Sequence, residues 1–221
     1  VQSDGYGAYK SYVTERSRRH AEGEELKPIE LACCWAHARR KFYEAREECP
    51  AQACWMLGQI GLLYQVERRL REAHAGPSLR AAVRCAESAM ILNRIGRMLK
   101  LKLSAHRPAS QMGKAINYTL SLWESLQRFV QDGQLEIDNN LVENAIRPTA
   151  IGKKNWLFIG HPDAGERAAI IYTLLENCKR EGVKPELYFK DVLSRLPGTT
   201  NHQTHELTPA NWAVARQEEV A

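Results

Sequence analysis

A carboxylate and three cationic side chains follow one another closely in the second half of the chain. Glu143 and Arg147 are one helical turn apart, and Lys153 and Lys154 come soon after. Carboxylate oxygens are the ligands that Mg²⁺ prefers, and lysine and arginine neutralise phosphate groups. These residue types and spacings therefore suit a metal-binding carboxylate that works on phosphates.

A short helix is predicted to carry this glutamate. Asn139 or Asn140 can cap its first turn, because an amide oxygen accepts from backbone N–H groups that have no partner there. Pro148 disfavours helical geometry at Arg147, so we expect the helix to end there. The alternative interpretation is a solvated helix face on which Glu143 and Arg147 form an ion pair worth about 0.3–0.5 kcal/mol.

Composition limits the class of protein. The chain has 221 residues, 44% of them hydrophobic, and a net charge of +5. This length suits one large domain or two small ones, and the mildly basic balance is compatible with nucleic acid. The six cysteines form no CxxC pair, and the Cys34–His37 spacing has no second pair to complete a structural zinc site. With no signal peptide and no long apolar run, we expect a reduced, cytoplasmic protein that does not enter a membrane.

Hydrophobic patterning predicts strands near the start of the chain and helices after them. The elements expected in the first fifty residues are a strand end at Val1–Asp4, a helix at Tyr6–Val13, a loop at Arg16–Lys27, a buried strand at Pro28–Trp35 and a helix at Ala36–Glu48. Three amphipathic stripes between Ala51 and Val130 predict a helical block. The apolar run Trp156–Ile159 favours a buried strand or tight connection.

The later elements include two helices with clear boundary signals. Pro162 is expected to open one helix that stops at Gly182, and Pro185 to open a last helix ending at Leu196. We expect the remainder to be loosely held, with Trp212 as its anchor. The predicted fold class is therefore α/β with a helical insertion. The segments are 1–50 and 133–196 for the two parts of the core, 51–132 for the insertion, and 197–221 for a tail.

A second carboxylate lies close to the start of the chain. Asp4 ends a predicted strand and is followed by Gly5-Tyr6-Gly7, which leaves room for a close approach. Phosphodiester cleavage and strand transfer need an activated hydroxyl and a stabilised leaving oxygen, and two divalent ions about 3.5–4 Å apart supply both. Asp4 and Glu143 could contribute to such a site, although for Asp4 considered alone the residues favour a turn-capping role.

Five sequence blocks, in order, resemble one protein family. They are QSDGYGAY, ACCWAHARRKFYEA, IDNNLVENAIRPTAIGKKNWLFIG, GERAAIIYTLLENCKREGVKP and LTPANW. The chain is similar in these blocks to the catalytic region of insertion-sequence-66-type transposases, and the resemblance is weakest across Ala51 to Leu103.

The resemblance implies a fold, a site and partners. The fold would be RNase H-like (retroviral-integrase-like), with three metal-binding carboxylates and a helical insertion before the last of them. Asp4 matches the second acid and Glu143 the third, so both would be catalytic ligands of Mg²⁺ or Mn²⁺. The partners would be transposon terminal repeats and target DNA, a homo-oligomer in the active complex, and helper proteins, in the bacterial cytoplasm.

Candidate DNA contacts follow from the same comparison and from the clustered charge. Asn140, Arg147 and Lys153 match polar positions around the glutamate, and the remaining candidates are Lys154, Arg39, Arg40 and Lys41. Trp35 and His37 belong to the family's CWAH block, in which we assign no individual roles.

This chain departs from the family pattern in one respect. The first aspartate of the triad is expected upstream of Val1, so the fold would be incomplete at its N-terminus and the fragment inactive by itself. Two other functions remain open from the sequence: a non-catalytic DNA- or protein-binding module on the same fold, and a metal-dependent nuclease.

Overall fold

A computed structural model describes residues 2–5, 7–27 and 29–218 of the chain. It divides into two compact units, Val1–Leu141 and Val142–Ala221. The described residues form two short strands and eleven α-helices. None of these helices is long and apolar enough to cross a membrane. The four-segment division drawn from the sequence remains a prediction.

The first unit contains the strands and most of the helices. Strand β1 pairs in parallel with β2, with Gln2 opposite Ala32 and Ser3 opposite Cys33. Helix α1 lies between them in sequence. The elements, in chain order, are β1 Gln2–Ser3, α1 Gly7–Ala21, β2 Ala32–Cys33, α2 Trp35–Glu44, α3 Pro50–Glu72, α4 Pro77–Val83, α5 Ala89–Lys102, α6 Gln111–Ser121 and α7 Trp123–Gln131. A π-helical turn, Arg84–Ser88, joins α4 to α5.

The predicted α/β, RNase H-like fold is wrong. Across the described ranges the structure is mainly helical, and its sheet has only the two strands β1 and β2. Of the strand predicted at Pro28–Trp35, Pro28 lies outside the described residues, Ala32 and Cys33 pair, and Trp35 already begins α2. A short apolar run does not distinguish a buried strand from a buried helix start. Here the apolar side chains enter a helical core.

Helix α1 also differs from expectation. It continues to Ala21, through much of the segment predicted as a loop from Arg16. Its charged side chains form ion pairs. Arg18 pairs with Glu15 of the same helix at 2.7 Å, and Arg19 pairs with Glu24, just after the helix, at an Nε–Oε1 distance of 2.8 Å. These local pairs make a polar sequence compatible with an exposed helix. Val1 and Tyr6, at the predicted starts of the first strand and helix, lie outside the described residues.

Trp35 lies at the centre of the first unit's hydrophobic core. Its side chain is fully buried, and its indole N–H donates to the Leu126 carbonyl oxygen at 2.8 Å. The ring packs edge-on against Trp123, with centroids 6.2 Å apart. The backbone N–H of Trp35 donates to the Ile137 carbonyl oxygen at 3.1 Å. Trp35 thus fixes α2 against α7 and against the chain segment that precedes the glutamate helix.

A buried ion pair joins α3 to the π-helical turn. Arg84 and Glu67 are both fully buried, and the guanidinium forms two hydrogen bonds of 2.7 Å to the two carboxylate oxygens. Arg84 also donates to the carbonyl oxygens of Phe129 and Asp132, at 2.8 and 3.0 Å. Burial removes water from both charged groups, and their mutual hydrogen bonds offset this cost. A single buried charge without a partner would strongly destabilise the fold.

The second unit contains the end of the chain. Its elements are α8 Asn140–Trp156 (beginning in the first unit), α9 Pro162–Arg180, α10 Pro185–Arg195 and α11 Pro209–Glu218. The predicted starts of α9 and α10 and the stop before Gly182, which has φ +66°, are confirmed. The tail is more ordered than predicted, because α11 packs through Trp212. As expected, Trp212 is buried; its indole N–H donates to Asp191 at 2.8 Å.

The buried Arg84–Glu67 pair predicts an unequal effect of two arginine substitutions. Arg84→Met leaves the Glu67 carboxylate buried without its partner, so we expect the free energy of unfolding to fall by about 3–5 kcal/mol. Urea denaturation followed by circular dichroism measures this change. Arg69→Met is the matched control, because the ion pair between Arg69 and Glu87 is exposed and such pairs contribute less than about 1 kcal/mol. Equal losses in the two variants would contradict the assignment.

Candidate functional site

Asp4 follows β1 directly and its side chain is exposed. The turn after it requires a glycine: Gly5 has φ +87°, and a Cβ atom there would meet the Leu122 side chain at 2.6 Å. The Tyr118 hydroxyl donates to the Asp4 carbonyl oxygen at 2.6 Å. The backbone around Asp4 is therefore held firmly while its carboxylate is accessible from solvent.

Two buried thiols lie beside this strand end. Burial raises the pKa of Cys33 to about 11, with a smaller contribution from the Asp4 charge, and burial likewise raises the pKa of Cys34. Both thiols are therefore protonated at neutral pH and are poor nucleophiles. Burial also raises the pKa of Tyr118 to about 12, so its hydroxyl remains a hydrogen-bond donor. The chemistry available at this edge is that of the carboxylate.

Asp138 is a residue that the sequence reasoning missed. It accepts a hydrogen bond from the Tyr64 hydroxyl at 2.8 Å. It also accepts from the backbone N–H of Asn140 at 3.2 Å and from the Asn140 amide at 3.0 Å. Burial, followed by the nearby Asp138 charge, raises the pKa of Tyr64, so the phenol stays neutral and donates. Asp138 thus caps the start of α8, a role signalled in the sequence by an aspartate just before a helix.

Glu143 is half-buried in the first turns of α8. The helix was predicted to end at Arg147, and that prediction is wrong because α8 continues through Pro148 to Trp156. A proline inside a helix removes one backbone hydrogen bond without necessarily ending the helix. With 3.6 residues per turn, Glu143, Arg147 and Lys154 fall on one face of this longer helix. The structure therefore adds Lys154, which the sequence analysis had placed beyond the helix, to the face that carries Glu143 and Arg147.

The segment after α8 also differs from expectation. Leu157 has φ +61°, a left-handed conformation that commonly ends a helix. Trp156, Leu157, Phe158 and Ile159 are exposed by 44, 74, 78 and 53%, so the buried strand predicted here is wrong. With Ile146 and Tyr172 they line an open apolar groove within the second unit.

The other candidate DNA contacts have different surroundings. Arg39 and Arg40 are exposed on α2, whereas Lys41 is half-buried and lies 3.5 Å from Glu44. Lys153 and Lys154 are exposed in the last turn of α8. The Asn140 amide is already engaged by Asp138.

The structure describes the two candidate metal ligands in separate units. Asp4 belongs to the first unit and Glu143 to the second. Their donors are carboxylate oxygens that are exposed or half-buried. Hard oxygen donors of this kind fit Mg²⁺ or Mn²⁺.

Comparisons with known proteins agree with the sequence blocks. Residues 1–167 match the family model described as Transposase IS66 family, and residues 173–210 match the IS66 C-terminal element. Two similar proteins from Sinorhizobium fredii are Uncharacterized protein y4jD, 34% identical over 216 residues, and Uncharacterized protein y4qI, 35% identical over 214 residues.

Each alignment covers 96% of this chain but only 41% and 39% of those relatives, respectively. The chain thus spans about two-fifths of their length. No solved structure gave a significant match. Because the first family model alone matches well over half of the residues, the chain belongs to the IS66 family of transposases.

Proposed function

We propose that the chain is the catalytic region of a DNA transposase, in which Asp4 and Glu143 hold Mg²⁺ or Mn²⁺ while DNA strands are cleaved and joined. The observation that supports this most is the alignment on α8 of Glu143 with Arg147 and Lys154. A metal-binding carboxylate and phosphate-binding cations on one rigid helix suit a DNA end held beside the site of reaction. Membership of the transposase family supports the same reaction class.

The chain's own residues would bind and orient the reactants. A bound divalent ion would supply activation of the attacking hydroxyl or water and stabilisation of the leaving oxygen. Asp4 offers an accessible carboxylate on a backbone held by Gly5 and Tyr118. Glu143 offers the second carboxylate, and Arg147 and Lys154 would neutralise phosphate oxygens of the bound strand.

Removal of either carboxylate should abolish the reaction. We expect Asp4→Asn and Glu143→Gln each to lower strand transfer by about 10³-fold or more, because both would be ligands of the same reacting centre. The measurement uses the complete open reading frame that encodes this chain, with labelled duplexes ending in the element's terminal repeats and with Mg²⁺ or Mn²⁺. Cleaved and joined products are separated on denaturing gels.

Exposed acids outside the site provide the controls. Asp163→Asn and Glu166→Gln remove single negative charges from exposed positions near the start of α9 and should leave product formation unchanged. Undiminished strand transfer by Glu143→Gln would contradict the proposal. Cleavage without any joined product would instead identify a nuclease, and DNA binding that is unaffected by metal and yields no product would identify a binding module.

Asp138 would position the glutamate helix rather than contact the reacting atoms. It holds the first backbone N–H of α8 while Tyr64 holds its other carboxylate oxygen. The start of α8 at Asn140 is therefore held within the first unit by Asp138, which is itself held by a hydrogen bond from the partly buried Tyr64.

Loss of the tyrosine hydroxyl should be measurable as a loss of stability. Tyr64→Phe removes a hydrogen bond to a carboxylate, and we expect the free energy of unfolding to fall by about 1.5–3 kcal/mol. Urea denaturation measures the loss, with the exposed Tyr43 changed to phenylalanine as the control. A change in Tyr64→Phe as small as that in Tyr43→Phe would show that the Asp138 contact contributes little.

DNA contacts through the basic end of α8 should be sensitive to salt. Neutralising phosphates releases condensed counterions, so each lost contact lowers the slope of log affinity against log salt by about one. We expect Lys153→Ala/Lys154→Ala to lower that slope by about two in fluorescence anisotropy titrations. Arg39→Ala/Arg40→Ala tests the α2 candidates in the same way. Lys190, exposed on α10, is the control; a double lysine variant with the same slope as Lys190→Ala would exclude Lys153 and Lys154 as contacts.

A further inference from the structure

Three side chains with different ligand atoms converge in the first unit, and none of them belongs to the residues of the proposed reaction. They are Glu48 and Cys49, in the connection between α2 and α3, and His106, in the connection between α5 and α6. One carboxylate oxygen, the Cys49 sulfur and one imidazole nitrogen all lie within 4.8 Å of one another. Glu48 is exposed and the other two are half-buried, so an ion from solution can reach them.

The His106 imidazole has a hydrogen-bond partner of the kind that metal-binding histidines commonly have. His106 Nε2 lies 2.8 Å from the Gln52 side-chain oxygen. An amide oxygen only accepts hydrogen bonds, so Nε2 carries the proton and Nδ1 keeps a lone pair. A hydrogen bond on the far nitrogen fixes the tautomer and orientation of most metal-binding histidines. An ion bound through Nδ1 of His106 would therefore have Gln52 as the outer partner of its imidazole ligand.

The other two ligands are also held in place. Glu48 accepts from the backbone N–H of Gln111 at 2.8 Å through one carboxylate oxygen, which leaves the second oxygen for a metal. Cys49 is the residue immediately before α3, and its backbone N–H donates to the Ala45 carbonyl oxygen at 3.0 Å. The Glu48 carboxylate is thus held at the start of α6, and the Cys49 backbone at the start of α3.

The combination of ligands selects the ion. Sulfur and imidazole nitrogen suit zinc and are poor ligands for Mg²⁺, which prefers oxygen alone. Three protein ligands leave a fourth tetrahedral position for water. We propose that Glu48, Cys49 and His106 form a zinc site that ties the α2–α3 connection to the α5–α6 connection. In the rival interpretation Cys49 is only a small apolar side chain packed against the core, and His106 only a hydrogen-bonded surface residue.

Cobalt(II) is the probe, because it substitutes for zinc and has an absorption spectrum. The full chain, reduced and free of metal, is titrated with Co²⁺. We expect one equivalent to produce a thiolate-to-cobalt charge-transfer band and the visible bands of a tetrahedral ion, both removed by zinc. Cys49→Ser should abolish the charge-transfer band. Cys54→Ser, which changes an exposed thiol one turn further along α3, should retain it.

Two further variants test the site without altering the thiol. Gln52→Leu removes only the hydrogen bond to His106 and should weaken cobalt binding by about 10–100-fold. His106→Gln should weaken it more. These variants decide the question even if Cys49→Ser fails to fold. The absence of a charge-transfer band in the wild-type chain, its persistence in Cys49→Ser, or equal affinity in wild-type, Gln52→Leu and His106→Gln proteins would overturn the proposal.

Discussion

The first unit depends on a buried charge, that of Arg84, whose three nitrogen atoms all have hydrogen-bond partners. Arg84 has no contact with water, and its guanidinium connects Glu67 on α3 with two carbonyl oxygens at the end of α7. Arg80 extends the network to Glu136 at 2.7 Å. The segment from α7 to Asp138 is therefore held along its length by these charged contacts and by the two Trp35 hydrogen bonds, which go to the carbonyl oxygens of Leu126 and Ile137. The glutamate helix α8 begins where this segment ends.

The two proposed metal sites use different ligand atoms of the same chain. The carboxylates of Asp4 and Glu143 are hard donors suited to ions that bind phosphate. The cluster of Glu48, Cys49 and His106 includes softer donors and suits an ion that holds loops together. The two proposals share no residue, so the failure of one leaves the other intact.

Part of this architecture could be predicted from sequence because its signals are local. Helical stripes between Ala51 and Val130, and the proline starts of α9 and α10, depend on nearby residues and were confirmed. The predicted fold class was wrong, because it depends on contacts between residues that are far apart in the sequence. The apolar run that contains Ala32 contributes only two residues to a sheet, and the run at Trp156 is exposed. Pro148 predicted a helix end locally, but α8 continues through it to Trp156. Because of this continuation, Glu143 and Lys154 lie on one face of the same helix.

The candidate site could be predicted only in part, because some of its contacts join residues that are far apart in the sequence. Glu143 was identified from the residue types around it and Asp4 from its place after a predicted strand, and the family resemblance supported both. Asp138 and Tyr64 are linked only through the fold. The zinc ligands escaped notice because Cys49 and His106 are far apart in sequence and lack the short ligand spacings of familiar zinc motifs.

The central claim is that Asp4 and Glu143 bind one divalent centre in the protein assembled with a DNA end. Its most direct test is a crystal of that complex grown with Mn²⁺ and measured at the manganese absorption edge. The account predicts an anomalous peak bonded to a carboxylate oxygen of Asp4 and to one of Glu143. Manganese bound elsewhere, with neither carboxylate coordinating it, would contradict the account.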